Sequence, residues 1–120
     1  MSRAESAGGA RVTPRIYSGR PNPEFTLTDS EAARVRALAG SLPPSAMPRP
    51  QPAGLGYSGF QLMFPDGSEM MVYRDQVEVR LGPNVRLLYD ENRALESELV
   101  RAARHHLGDD IPYDWIMSGQ

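Results

Sequence analysis

Five of the chain's eleven prolines lie within residues 41–56, SLPPSAMPRPQPAGLG. Proline fixes φ and has no backbone N–H, so neither a helix nor an inner strand can run through such a stretch. Extended polyproline II geometry is what remains. The segment therefore divides the chain: residues 11–40 and 59–107 must each build their own elements, joined by a stiff connector. Its length suits a crossover that carries the chain back across a domain. The competing reading, a ligand for an aromatic groove on another protein, stays open.

Ahead of the connector, RVTPRIYS at 11–18 reads as a first strand. Pro14 within it implies an edge position, or a strand that begins only at Arg15. Residues 28–40 carry the best-marked helix. Thr28 and Glu31 have capping-box spacing, with Leu27 as the staple residue before the cap. Ala32, Val35, Leu38, Ala39 and Leu42 form its apolar stripe, and Gly40 is the expected C-cap.

Behind the connector, Phe60, Leu62 and Phe64 alternate with Gln61 and Met63 up to a Pro65-Asp66-Gly67 turn, and residues 70–73 return. Val77, Val79 and Leu81 alternate with Glu78 and Arg80. A turn at Gly82-Pro83-Asn84 then leads to Val85, Leu87 and Leu88. Residues 90–107 read as a second helix with Asp90 as N-cap. Its inner face is Leu95, Leu99, Val100, Ala103 and Leu107, and its outer face Arg93, Glu96, Arg101 and Arg104. The expected fold is an α+β two-layer sandwich: a mostly antiparallel sheet of four to five strands with two helices on one face. Residues 1–10, with Gly8-Gly9, read as a flexible tail, and residues 11–120 as one domain.

Composition narrows the function classes. The net charge of -2 gives no electrostatic case for nucleic acid or for an anionic membrane. No apolar run approaches the roughly 20 residues that span a bilayer. The N-terminal MSRAESAGGARV lacks a secretory h-region. There is no cysteine, so disulfides, thiolate metal sites and cysteine nucleophiles are absent, and the cytoplasm is the expected compartment. All thirteen basic residues are arginine, which removes Schiff-base and lysine-base chemistry.

The loop Ser18-Gly19-Arg20-Pro21-Asn22-Pro23 is the leading site candidate. Two prolines hold its backbone, which lowers the entropy lost on binding. Arg20 offers a forked donor set for an anion or carboxylate, and helix N–H groups follow a few residues on. The bland alternative is a rigid turn in which Asn22 bonds nearby backbone. Tyr17, Arg20, Asn22 and Trp115 are thus the expected ligand or partner contacts. Trp115 belongs to the apolar tail 111–117, which either packs back on the domain or inserts into a partner or second subunit. His105 and Asp109 would share one face only of a helix that continued past Gly108, where it is expected to end, and adjacent His105 and His106 point about a hundred degrees apart, so no metal site and no cofactor are expected. No nucleophile elbow, phosphate-cradling glycine loop or HExxH is present. The chain therefore reads as a binding or accessory module for a protein or small anionic ligand, with homo-oligomerisation open. The alternative is a small cofactor-free enzyme holding an anionic substrate on Arg20, with Asp75, Glu78, Asp90, Glu91 or a tyrosine (Tyr17, Tyr73, Tyr89) as general acid or base.

Overall fold

The computed structural model describes residues 9–16, 21–45 and 58–108. The elements run β1 (Arg11–Pro14), β2 (Phe25–Thr26), α1 (Asp29–Ser41), β3 (Phe60–Met63), β4 (Glu69–Tyr73), β5 (Gln76–Leu81), β6 (Asn84–Tyr89), a 3-10 turn (Glu91–Arg93) and α2 (Ala94–Leu107). The strands form one open sheet in the order β2-β1-β3-β4-β5-β6, every neighbouring pair antiparallel. The two-layer α+β architecture is as expected, with six strands rather than four or five. The additional strand is the two-residue β2, too short to leave a periodic signal in sequence.

Register explains the layering. Pro14, Phe60, Val72, Val77 and Leu88 lie opposite one another in one row, and Val12, Leu62, Met70 and Val79 in the row beside it. A strand's side chains alternate between faces, so both rows share one face. That face packs with Ala32, Val35 and Ala39 of α1 and Leu95, Leu99, Val100, Ala102 and Ala103 of α2 into a single core. Phe60, Leu62, Leu95 and Leu99 are fully buried, each worth roughly 1.5–3 kcal/mol of hydrophobic stabilisation.

Three local expectations are revised. Pro14 does not mark an edge: β1 has β2 on one side and β3 on the other. Arg15 donates its N–H to Gly59 O of the β3 side at 2.8 Å. By alternation the Pro14 nitrogen faces the opposite way, past the end of the two-residue β2, where no donor is needed. Gly40 lies inside α1, and the C-cap is Leu42 with extended backbone (φ -78°, ψ 140°). Pro43 follows directly, and a residue before proline is driven out of the helical region. The start of the proline segment is also not detached. Tyr89 N–H donates to Pro43 O and Ser45 N–H to Leu87 O, both at 2.8 Å, so residues 43–45 cover the outer edge of β6.

The N-terminus of α1 matches its sequence signal in full. Thr28 Oγ1 accepts from Glu31 N–H at 3.2 Å, and Glu31 Oε1 accepts from Thr28 N–H at 2.8 Å. Gly59 is fixed by two constraints. Its φ is +116°, and a Cβ there would stand 2.7 Å from Val72 O.

Candidate functional site

The face of the sheet turned away from the helices carries the alternate strand positions. Arg11, Met63, Glu69, Arg80 and Val85 form one row across it, and Thr13, Gln61, Met71, Glu78 and Leu87 the next. Between these rows lies an open groove of about 330 Å³, lined by Arg15, Gln61, Glu69, Met71, Glu78 and Arg80. Polar side chains bridge the strands. Arg15 donates to Gln61 Oε1 at 3.0 Å, and Gln61 Nε2 donates on to Glu69 Oε2 at 2.9 Å. Arg80 pairs with Glu78 at 2.7 Å. The Arg15–Gln61 and Arg80–Glu78 contacts are exposed, so each contributes little to stability and can be exchanged for a ligand's groups at small cost, whereas Gln61–Glu69 is part-buried. Exposed Met63 and Val85, in the first of these rows, add apolar area beside the charges.

Arg15, which lines this groove, comes shortly before the loop singled out in sequence. Asn22 sits where the chain returns, and its Oδ1 accepts the Ile16 N–H at 2.7 Å. Asn22 thus closes the base of the loop through its side chain, the local backbone bond that a turn reading requires. Tyr17, Arg20 and Trp115 lie outside the described residues. None of the groove residues except Glu78 was a sequence candidate. Their polar alternation and the two hairpin pairings, β3 with β4 and β5 with β6, were visible, but the placing of β1 beside β3 was not.

The carboxylates considered for acid–base work sit elsewhere. Asp90 is fully buried, and its Oδ2 accepts N–H bonds from Leu95 (2.9 Å) and Glu96 (3.3 Å). It caps α2 from four residues ahead, because Asn92 (φ 65°) and Arg93 (φ 54°) turn the chain through left-handed backbone first. Burial pushes the Asp90 carboxyl above its ordinary value, against the opposing pull of those backbone donors. Glu96, expected to face outward, is 1% exposed. Its Oε2 accepts the Arg74 N–H at 2.9 Å and its Oε1 pairs with Arg93 Nε, which is the reason it turns inward. Arg74 itself (φ 57°) opens the two-residue turn between β4 and β5. Arg74, Asn92 and Arg93 are the only non-glycine residues with positive φ among those described, and all surround this buried pair. Arg74 Nη1 and Asp90 Oδ1 are buried without hydrogen-bond partners among the described residues. Glu78 belongs to the groove, whereas Asp75 O accepts the Asp90 N–H at 2.7 Å as part of the scaffold.

A third cluster joins the helices. His106 Nε2 lies 2.8 Å from Glu31 Oε1, and His105, His106 and Glu31 each bring one potential ligand atom within 4.8 Å of the others. The adjacent histidines were not expected to act together, and on one helix alone they do not. Glu31 reaches both from α1, and in sequence it read only as a capping residue. Asp109, the expected helical partner of His105, lies outside the described residues.

Comparison with known proteins finds no family, no curated protein and no solved structure that the chain matches. Among the described residues, no helix is long and apolar enough to cross a membrane.

Proposed function

We propose that the protein is a binding module that recognises a polypeptide segment of a partner protein on the face of its sheet turned away from the helices, with Arg20 as a further contact. The observation that carries this reading is the groove itself. Two arginines, two glutamates, a glutamine and a methionine line a shallow depression on the face opposite the helices. A small multivalent anion would meet the carboxylates of Glu69 and Glu78 beside the arginines. A polypeptide that offers carboxylates to Arg15 and Arg80, donors to the glutamates and an apolar side chain to Met71 satisfies the whole lining. Methionine also adapts its shape to varied partners. The enzyme reading gains no support from the described residues, because the one carboxyl among them pushed upward, Asp90, is buried in the core. A cytoplasmic setting is part of the proposal on the sequence grounds alone.

The test is selection of peptides from a random display library on the intact protein. Enriched peptides should carry Asp or Glu beside an apolar residue. The double substitution Arg15→Ala with Arg80→Ala should lose most of this binding while melting within a few degrees of wild type. Arg20→Ala should cost about 1.5–3 kcal/mol of binding where the loop contributes a charged contact. Peptides that bind the double variant as tightly as wild type would refute the groove as the recognition surface.

A further inference from the structure

We propose that Glu31, His105 and His106 form a binding site for a divalent transition-metal ion of the zinc class, which clamps the first turn of α1 to the last turn of α2. The chain contains two histidines and no cysteine, so its entire stock of imidazole is in this one place. The rings stand edge to face at 84° with centroids 4.9 Å apart. Glu31 reaches them from the other helix, with the three potential ligand atoms within 4.8 Å of one another. A tetrahedral ion about 2.0–2.1 Å from each ligand atom holds those atoms about 3.3 Å apart. His106 Nε2 and Glu31 Oε1, at 2.8 Å, already lie close to that separation. His105 is exposed, and its ligand atom already lies within 4.8 Å of the other two.

Two of the three ligands are held from behind. The Thr28 N–H donates to the Glu31 carboxylate at 2.8 Å, and the His106 ring stacks on Phe25 at 5.0 Å and 15°. Such outer contacts orient ligands before the ion arrives. Two imidazoles with one carboxylate suit zinc, cobalt, nickel or ferrous iron, whereas calcium and magnesium favour all-oxygen sets. Three protein ligands leave a fourth position for water.

A plain hydrogen bond between His106 and Glu31 would bring the same two side chains together without any ion, so the test must separate the two. Untagged protein, stripped with chelator, is titrated calorimetrically with Zn²⁺ and followed with Co²⁺ by visible absorption. The expected result is one ion per chain, cobalt bands of a low-coordinate site, and shifts of both imidazole resonances in NMR spectra. His105→Ala leaves the His106–Glu31 contact in place, and it should weaken Zn²⁺ binding tenfold or more, the scale on which metal sites respond to damage around their ligands. Glu31→Gln keeps an acceptor for Thr28 and should weaken binding comparably. Wild-type protein that takes up no stoichiometric zinc overturns the proposal without any variant. Unchanged zinc affinity in His105→Ala overturns it equally, and leaves the hydrogen bond as the whole explanation.

Discussion

Replacing Glu96 by alanine tests the least expected feature of this fold. Glu96 is 1% exposed. It accepts the Arg74 N–H at 2.9 Å and pairs with Arg93 Nε. Its two partners both hold left-handed backbone, a conformation that costs a non-glycine residue roughly 1–2 kcal/mol. Glu96 is thus the tie that keeps the β4–β5 turn and the approach to α2 in place. Removing one member of a buried pair typically costs about 3–5 kcal/mol, because the other is left unpaired. The Arg93 side chain is 23% exposed and recovers some hydration, which lowers the figure. The Arg74 N–H loses a bond to a charged acceptor, worth about 1.5–3 kcal/mol, which raises it again. The two effects overlap, and the net expectation is about 3–4 kcal/mol, a large share of the 5–15 kcal/mol that holds a typical domain together. At about 4–8 °C per kcal/mol for a domain near this size, Tm falls by at least about 12 °C. Urea unfolding followed by far-UV circular dichroism measures the loss directly, with m unchanged if the folded state stays compact. Glu96→Gln keeps an acceptor and the volume, and should lose about half as much. A cost below about 1 kcal/mol for Glu96→Ala would refute the reasoning, since an exposed glutamate pair is worth no more than that.

Three further outcomes follow from the same geometry. Gly40→Ala should stabilise the protein by about 0.5–1 kcal/mol, because Gly40 is inside α1 with no atom within 4 Å of an added Cβ; a loss of stability would return Gly40 to a left-handed cap. Gly59→Ala should cost more than Gly67→Ala, since both have positive φ but only the first drives a Cβ into backbone, Val72 O at 2.7 Å; equal melting points would remove that contact from the account. The raised Asp90 carboxyl stabilises the fold most when protonated, fully so below its unfolded value near 3.8, and this contribution fades as pH rises through the higher folded value. Asp90→Asn should therefore flatten that part of the pH–stability profile, and an unaltered slope above pH 3.8 would show that the Asp90 carboxyl is not raised.

Local chemistry alone determined much of this protein. The capping box at Thr28 and Glu31, the hairpin turns at Asp66-Gly67 and Gly82-Pro83, and the apolar faces at Phe60 and Leu62 or Leu95 and Leu99 depend on neighbours within a few residues. Such signals are complete in the sequence, and the two-layer architecture follows from them. What only the tertiary structure decided are pairings between distant segments. Glu96 turns inward because a turn twenty-two residues earlier presents an unpaired N–H. Glu31 caps its helix and also meets His106, seventy-five residues away. The groove exists because register sets Arg15, Gln61, Glu69, Glu78 and Arg80 on one face of neighbouring strands. Period-two alternation tells which residues share a face of one strand, and local turns set the register of the β3–β4 and β5–β6 hairpins, but the place of β1 between β2 and β3 joins segments far apart in the chain, and no local residue pattern encodes it.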